Sequence, residues 1–486
     1  MNNKFLFFFT EKPLKMIMLG FSSGLPILLV FSTLSVWLTK AGIERSTVTL
    51  FSWAGFAYAF KFLWSPLVDK ISIPVFLNLG HRRSWLLLTQ FLIIFSLVLT
   101  SVNDPQNNII ITAVCITLVA FFSATQDIII DAYRIESIDK KLQGSLSSMY
   151  IAGYRIGMLV GGAGSLWLAS YWGSENYEHD VWKKVYLSMS LLMFIGVVAN
   201  LISKEPKRKR NFTRKTNLHV KFFLSIMISL LIFIYIYSYL DNPFSGPMLS
   251  FIYTILKLIF CFICSGLFLL FLVKLKFQSK SIIKESYFSP IKNFVVKYGK
   301  VAVIILLLIS LYRMADVVMG VMANIFYLEK GYSINQIATY SKFFGVFATI
   351  AGGLLGGYFA MKYGTMITLF IGALIASLSN LLFAWLATAE TNIKFLISVI
   401  TADNISSGFA GAAFVVYLSG LTSLKFTATQ YALFSSIMLF LPKLIAGYSG
   451  SWVDVIGYHN YFVVTALLGL PVLFLIVYIS KVAPIK

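Results

Sequence analysis

Long apolar runs recur along this chain, and they constrain its fold more than any other feature. We predict fourteen helices, each near or above the roughly 20 residues that cross a bilayer. Their approximate bounds are 14–38, 46–68, 84–102, 109–134, 143–171, 181–202, 218–238, 248–274, 300–326, 334–360, 363–387, 394–422, 427–450 and 460–480. With 58% hydrophobic and 12% charged residues, the chain is too apolar to cover a water-facing surface. The sequence therefore predicts an all-α polytopic membrane protein.

Basic residues are unevenly shared between the two faces of the predicted membrane region. If the N-terminus is inside, the inner segments contain most Lys and Arg residues, including the runs at 204–221 and 274–300. The outer loops contain only Lys40, Arg45, Lys183, Lys184, Lys330 and Lys394. This positive-inside pattern predicts an even number of crossings and two cytoplasmic termini. The net charge of +21 is therefore assigned to topology and anionic lipid, and we expect no nucleic-acid partner.

The two basic runs divide the predicted helices into three groups. We predict an N-terminal six-helix bundle at 1–202, basic linkers with two extra transmembrane helices at 203–299, and a C-terminal six-helix bundle at 300–486. Two six-helix halves are a recurring plan of secondary transporters. All three cysteines lie in apolar runs, without a second pair of metal ligands, and we expect no metal or other cofactor.

One helix contains a stripe of charged side chains within an apolar run. In FFSATQDIIIDAYRIE, at 121–136, Asp127, Asp131 and Arg134 follow the spacing i, i+4, i+7 and share one face. Because charges facing lipid are costly, these groups must face protein or water. No histidine lies in the interior of a predicted span, since His219 is the second residue of its own, so any proton coupling would use carboxylates. Asp127, together with Asp131, is the first candidate, and Lys61 is predicted to face Asp127 from the second helix.

Other polar residues are predicted nearer the middle of the membrane. Arg155 and Arg313 fall near the centres of their helices, where they could bind carboxylates of a solute. Asp316, one turn beyond Arg313, could form an ion pair with it and is the second proton-coupling candidate. Candidate donors to sugar or peptide groups are Gln126, Tyr154, Asn324, Asn404 and Gln430. Lys257, Lys342, Asp403 and Lys443 also lie in predicted spans, and structural pairing between helices is the alternative for all of these charges.

Small residues are predicted to shape two helices and to bend a third. Four-residue spacing at Gly153, Gly157 and Gly161 is typical of close helix packing. A second glycine-rich helix contains Gly345, Gly352, Gly353, Gly356 and Gly357. In the first helix, Gly24 and Pro26 are predicted to introduce a bend and to free backbone polar groups.

Seven segments, in order, resemble the AmpG muropeptide permeases of the major facilitator superfamily. They are GFSSGLPILL (20–29), KFLWSPLVDK (61–70), GHRRSWLLLTQ (80–90), SATQDIIIDAYRIE (123–136), LYRMADVVMG (311–320), SKFFGVFATIAGGLLGG (341–357) and FTATQYALFSS (426–436). The resemblance covers nearly the whole chain and implies a major facilitator fold with two extra central helices. It also implies import of anhydro-muropeptides across the bacterial inner membrane, driven by the proton gradient.

The resemblance also implies roles for individual residues. Gln126, Asp127 and Asp131 match the QDxxxDA pattern of the family, with Arg134 where a basic residue is common. PLVDK…GHRR is similar to the inner loop of the superfamily, in which Asp69, Arg82 and Arg83 would form a cytoplasmic gate. Lys61 and Arg134 are assigned to the same gate.

Three alternatives remain open at this stage. A transporter of another bulky anion, such as acetyl-coenzyme A or a nucleotide, would use the same architecture. A membrane-embedded acyl or glycosyl transferase would need a Ser, His or Asp constellation or a metal, yet the four histidines are scattered over loops and, for His219, the first residues of a span. A sensor of wall fragments has no appended signalling domain in its favour. We therefore expect a monomeric permease in the lipid bilayer, and not an enzyme.

Overall fold

A computed structural model describes residues 11–65, 68, 73, 79–137, 143–174, 176–206, 216–244, 246–275, 288–421 and 427–482. This part of the chain is helical, without strands. The first bundle contains α1 (Glu11–Val30, continued by Ser32–Lys40), α2 (Arg45–Leu50, Phe51–Gly55, Phe56–Phe60 and Lys61–Leu63), α3 (His81–Val102), α4 (Ile109–Glu136), α5 (Gln143–Leu159, Val160–Gly164 and Ser165–Trp172) and α6 (His179–Leu192 and Phe194–Ile202). Next come α7 (Thr216–Tyr239), α8 (Pro247–Lys274) and the short α9 (Ser289–Tyr298).

The last bundle contains the remaining six helices. They are α10 (Val301–Leu311 and Met314–Glu329), α11 (Ile334–Gln336, Ile337–Phe344 and Gly345–Tyr363), α12 (Thr365–Thr388), α13 (Ile393–Leu421), α14 (Thr427–Ala446) and α15 (Ser449–Leu467 and Leu470–Val482). All fourteen predicted spans contain helix, and α9 is an additional element that was not predicted. Ten of the described helices are long and apolar enough to cross a membrane: α1, α3, α4, α6, α8, α10, α11, α12, α13 and α15.

The last helix begins earlier than predicted. We expected a loop before residue 460, but α15 begins at Ser449 and changes direction at Gly457, which has a φ of 75°. This left-handed conformation is accessible to glycine without the steric penalty of a Cβ atom. The preceding helix, α14, ends at Ala446 rather than near residue 450.

Glycines set the distance between α1 and α5, which confirms the close packing expected of the Gly153 series and identifies its partner helix. A Cβ atom on Gly153 would lie 2.0 Å from the carbonyl oxygen of Ile17, and one on Gly157 would lie 2.3 Å from that of Phe21. On α1, a Cβ atom on Gly24 would lie 2.0 Å from the carbonyl oxygen of Tyr154. The two backbones are therefore in direct contact, which only residues without a side chain permit.

A similar contact joins α11 to α13. A Cβ atom on Gly352 would lie 2.1 Å from the carbonyl oxygen of Ile405, and one on Gly408 would lie 2.1 Å from that of Thr349. Gly357, in contrast, has no atom within 4 Å of its Cβ position. This glycine of the predicted set therefore takes no part in the contact.

The first helix of each bundle is interrupted. In α1 the break falls at Phe31 (φ −112°, ψ −73°), one turn after Pro26. In α10 it falls at Tyr312 and Arg313, the latter with φ −98° and ψ 9°. Apolar residues from α1, such as Trp37, and from α10, such as Phe326, belong to one buried cluster. The two interrupted helices therefore pack together at the centre of the molecule.

Candidate functional site

A polar cavity of about 290 Å³ lies between the two bundles, beside both helix interruptions. The first bundle contributes Phe31, Phe51 and three serines, Ser32, Ser35 and Ser52. The last bundle contributes the charged and amide side chains, which are Arg313, Asp316, Asn324, Lys342 and Lys443. Three cations and one carboxylate therefore line this cavity.

The predicted pair of Arg313 and Asp316 is formed. The Arg313 guanidinium contacts the Asp316 carboxylate directly, across one turn at the start of the second part of α10. Ser407 of α13 also donates to this carboxylate, at 3.2 Å. The carboxylate that lines the cavity is therefore already paired with groups of the protein.

Asn324 connects the two bundles. Its side-chain nitrogen lies 3.0 Å from Ser35 Oγ and 3.2 Å from Ser32 Oγ, both on α1. Its oxygen accepts a hydrogen bond of 2.7 Å from Lys342 Nζ. Lys342 itself lies in the π-helical stretch Ile337–Phe344, a geometry frequently found at functional sites.

Lys443 crosses from the last bundle to the first. Its stem packs on Gly55 of α2, where a Cβ atom would lie 3.2 Å from Lys443 Cε. Its Nζ lies 4.2 Å from the centre of the Phe31 ring, a cation–π contact. In the described part of the chain, no carboxylate lies within 4.0 Å of Nζ of Lys443 or Lys342. Both lysines lie in predicted spans, but no functional role was predicted for them.

Asp127 forms a second buried site, within the first bundle. It accepts a hydrogen bond from Ser23 of α1, whose hydroxyl also lies 2.9 Å from the hydroxyl of Tyr150 on α5. The predicted partner was Lys61, but no nitrogen–oxygen contact within 4.0 Å joins Lys61 to Asp127 in the described chain. Asp127 therefore makes its hydrogen bond to the glycine-packed α1, and Lys61 of α2 interacts with it electrostatically without a direct contact. Tyr154, whose ring centre lies 6.1 Å from that of Tyr150, is close to this site.

Gln126 binds a backbone group that Pro26 leaves without a partner. Proline has no N–H, so the carbonyl of Ser22, four residues earlier, loses its helical hydrogen bond. The side-chain nitrogen of Gln126 donates to this carbonyl at 3.0 Å. The predicted release of a backbone polar group is confirmed, and the neighbouring helix supplies its donor.

Two ion pairs lie at the face of the protein that contains the described ends of the chain. Arg134 pairs with Asp131 at 3.0 Å and lies over the ring of Tyr150. Arg82 pairs with Glu136 at 2.9 Å, and both side chains are less than a tenth exposed. All these residues belong to the first bundle, so they stabilise it internally.

Glu205 completes this cluster by binding the start of α3. Its carboxylate accepts from the backbone nitrogens of Arg82 and Arg83, at 2.9 and 3.1 Å. Negative charge at a helix N-terminus is stabilising because the first N–H groups lack helical partners. Glu136 and Glu205 were not predicted as site residues, although both flank predicted helices. The predicted gate residue Asp69 lies outside the described residues.

Three further predicted site residues do not line the cavity between the two bundles. Arg155 Nη1 lies 3.8 Å from Met158 Sδ, with no carboxylate within 4.0 Å in the described chain. Asn404 accepts a hydrogen bond from Thr349 beside the glycine contact of α11 and α13. Gln430 lies 3.4 Å from Asn293 of α9. The structure does not bring these residues together with Arg313 and Asp316.

The opposite face contains a charge cluster that joins the two bundles. Arg45, at the start of α2, contacts Glu329 at 2.7 Å and Asp454 at 2.6 Å. Tyr458 donates to Glu329 at 2.8 Å. Because Glu329 ends α10 and Asp454 lies in α15, a single arginine joins the first bundle to two helices of the last.

Two packed helical bundles around a polar cavity define a polytopic membrane transporter. A sequence model described as "Major Facilitator Superfamily" matches residues 16–446. The chain belongs to this superfamily. It is 30% identical over 463 residues to "Putative transporter AmpG 4" of Rickettsia felis, covering 95% of both chains. It is 31% identical to "Putative transporter AmpG 3" of Rickettsia prowazekii, covering 89% of this chain and 87% of the relative. Within the superfamily, the chain therefore belongs to the AmpG-type permeases.

Solved structures share the fold at low sequence identity. A POT family transporter in complex with a thioalcohol conjugated peptide has a TM-score of 0.67 and 13% identity, covering 97% of this chain and 96% of the other. The xylose transporter XylE from E. coli, in a partially occluded inward open conformation, has a TM-score of 0.61 and 10% identity, covering 98% and 97%. Both comparisons concern the fold alone.

Proposed function

We propose that this permease imports anhydro-muropeptides into the cytoplasm for cell-wall recycling, by proton symport and alternating access. The cargo is N-acetylglucosamine-1,6-anhydro-N-acetylmuramic acid, with or without a peptide stem. The observation that carries the proposal is the cavity between the bundles, in which three cations face one carboxylate that is already paired. The extended similarity to proteins named AmpG supports this choice of cargo.

The cavity has the chemistry that such a cargo requires. Muropeptides contain carboxylates, which cations bind, and hydroxyls and amides, which Ser32, Ser35 and Asn324 can hydrogen-bond. Phe31 and Phe51 provide apolar ring faces for sugars. A volume of about 290 Å³ is at the small end of ligand sites, which span roughly 300–1,000 Å³. We therefore propose that this cavity is a partly closed form of the binding site, which enlarges when the bundles move apart.

Asp127 is the proposed coupling residue, together with Asp131, and Asp316 is the second candidate. Protonation of Asp127 would weaken its hydrogen bond from Ser23 at the contact of α4 with α1. The bundles at 1–202 and 300–486 would then rock about the cavity. Arg155, Tyr154, Gln126, Asn404 and Gln430 remain proposed cargo contacts for states in which the bundles have separated. Lys61, Asp69, Arg82, Arg83 and Arg134 remain the proposed gate.

The proposed location is the bacterial inner membrane, with both termini in the cytoplasm. The positive-inside distribution supports this orientation. Arg45, Glu329 and Asp454 would then close the periplasmic face, and the structure would correspond to a state closed to the periplasm. We propose a monomer that uses the proton gradient and needs no cofactor.

A second cargo class is favoured by the same cavity. Cations recognise phosphate as well as carboxylate. Another bulky anion, such as acetyl-coenzyme A or a nucleotide, therefore remains the alternative solute. The two classes of solute can be distinguished by testing which of them competes with a labelled solute for uptake.

Reconstitution of the full-length chain into liposomes tests the proposed function. Labelled anhydro-muropeptide is expected to accumulate when the lumen is alkaline, and to equilibrate without accumulation when an ionophore collapses the gradient. Excess unlabelled anhydro-muropeptide should block uptake, whereas acetyl-coenzyme A and ATP should not. Accumulation of acetyl-coenzyme A or ATP without accumulation of the muropeptide would assign the alternative cargo.

A further inference from the structure

We propose that Lys342 and Lys443 form a two-lysine subsite that binds a carboxylate of the transported solute. The inference rests on the proposed transport function and names the group that the cavity recognises. It differs from the sequence-based expectation, in which Arg155 and Arg313 were the carboxylate ligands. The choice of lysines follows from the protein partners that each cation of the cavity has.

Arg313 is occupied by the protein itself. Its guanidinium is paired with Asp316, and Ser407 of α13 lies against the same carboxylate. Because Asp316 already offsets the charge of this arginine, a solute carboxylate would gain less from Arg313 than from a cation without a carboxylate partner. The Arg313–Asp316 pair is therefore better suited to holding the shape of α10 at its interruption.

No acidic side chain of the described chain pairs with Lys443. Its stem lies on Gly55, and its ammonium lies over the ring of Phe31, at 4.2 Å from the ring centre. A ring face offsets only part of the cost of removing an ammonium from water. Within the described residues, no carboxylate approaches this nitrogen to 4.0 Å. An anion in the cavity would supply the missing counter-charge.

Lys342 is held by a neutral partner. Its ammonium donates to the side-chain oxygen of Asn324 at 2.7 Å, which uses one of its three N–H groups. Asp403 of α13 interacts with Lys342 electrostatically but forms no contact within 4.0 Å. The remaining N–H groups of Lys342 are therefore available to a carboxylate in the cavity that this lysine lines.

Both lysines are connected to α1 near its interruption at Phe31, one directly and one through a third side chain. Lys443 reaches Phe31 directly, and Lys342 reaches Ser32 and Ser35 through Asn324. A carboxylate bound by the two ammonium groups would therefore be enclosed by elements of both bundles. Binding would then depend on how the bundles are placed, which is the property that an alternating-access site needs.

Matched ligands test the subsite. The purified full-length protein is titrated with anhydro-muropeptide carrying free carboxylates, and with the same compound after conversion of its carboxylates to amides. The wild type is expected to bind the acid at least about tenfold more tightly. Lys342→Gln and Lys443→Gln are each expected to lose about 10–100-fold in affinity for the acid. Their affinity for the amide should stay within about threefold of wild type, well below one tenfold step.

Lys257 provides a matched control. It is also a lysine in a membrane helix, with Nζ 3.9 Å from the ring centre of Tyr237, but it lies on α8 outside the cavity. Lys257→Gln should leave both affinities unchanged. Lys443→Arg should retain most of the preference for the acid, because the charge remains. Ligand-free Lys443→Gln should unfold at the same temperature as wild type or higher, since a half-buried cation with no carboxylate partner among the described residues is removed.

The possible outcomes distinguish a failure of the two-lysine subsite from a failure of the proposed cargo. If acetyl-coenzyme A binds in place of the muropeptide, and the two glutamine variants weaken it, the proposed cargo is wrong and the subsite stands. If wild type binds acid and amide equally, or both variants bind like wild type, the subsite is wrong even where muropeptide transport is confirmed. Failure of every tested anion to bind wild type also overturns the subsite. Equal loss of acid binding, amide binding and thermal stability would assign the lysines to folding instead.

Discussion

The side-chain nitrogen of Gln126 lies 3.0 Å from the carbonyl oxygen of Ser22, the acceptor that Pro26 deprives of its helical donor. A proline in α1 and a glutamine in α4, 100 residues apart along the printed chain, thus form one structural unit. Next to it, Ser23 donates to Asp127. The proline therefore determines where α4 attaches to α1, and with it the position of the candidate coupling residue.

Replacing Gln126 should show how much its hydrogen bond to the Ser22 carbonyl contributes to the stability of the protein. Gln126→Leu leaves the Ser22 carbonyl buried without a donor, which we expect to destabilise the protein by about 1–3 kcal/mol. The measurement is the unfolding temperature in detergent. Pro26→Ala restores an N–H at position 26, so Gln126→Leu should be less damaging in that background. Equal losses in the two backgrounds would show that the glutamine stabilises α1 by another route.

Asp127→Asn should separate binding from coupling. The amide keeps an oxygen that can accept from Ser23, but it can no longer gain or lose a proton. We expect exchange of labelled for unlabelled solute to persist in liposomes, whereas accumulation driven by an alkaline lumen is lost. Ser23→Ala is the matched control, because it removes the donor and keeps the acid, and it should retain some accumulation. If Asp127→Asn concentrates solute as wild type does, another carboxylate couples transport.

Glycine substitutions should differ sharply with position. Gly153→Ala would place a Cβ atom 2.0 Å from the carbonyl oxygen of Ile17, so α1 and α5 must separate. We expect a loss of about 1–3 kcal/mol or more, together with lost transport. Gly357→Ala is the control, because no atom lies within 4 Å of its Cβ position. It should be neutral or slightly stabilising in thermal unfolding, and equal losses for both variants would argue against the packing explanation.

The charge cluster at the face opposite the described chain ends should act as a latch. Arg45→Gln removes its contacts with Glu329 and Asp454, each partly exposed, which we expect to contribute about 1 kcal/mol to the closed state. That shift changes the ratio of closed to open molecules about fivefold. Spin labels are attached at Glu44→Cys and Glu390→Cys, one on each bundle at this face. Double electron–electron resonance should then show that a larger fraction of Arg45→Gln molecules has a long distance between the labels.

Lys330→Gln is the control for the latch. Lys330 is also a cation at this face, but its hydrogen bond to the carbonyl of Ala387 stays within the last bundle. Its substitution should leave the label distances unchanged. An identical distribution for Arg45→Gln and wild type would mean that packing, and not this arginine, closes the face.

Local features were predictable because helical periodicity converts spacing along the chain into spacing in space. The apolar runs located the membrane helices, and the three-residue separation of Arg313 and Asp316 was enough to predict their ion pair. The consequence of Pro26 was predictable for the same reason, since the missing N–H affects a carbonyl one turn earlier. Each of these expectations involves residues within a single helix.

Contacts between helices could not be obtained in this way. The sequence placed Lys61 opposite Asp127, but it did not indicate that Ser23 would donate to this carboxylate while Lys61 acts on it only electrostatically. It also contained no sign that Lys443 would lie over Phe31, that Asn324 would bridge to Ser35, or that Arg82 would pair with Glu136. Such pairs depend on the rotation and height of each helix against its neighbours. Those are set by glycine contacts and side-chain packing across the whole assembly, and the periodicity of a single helix does not contain them.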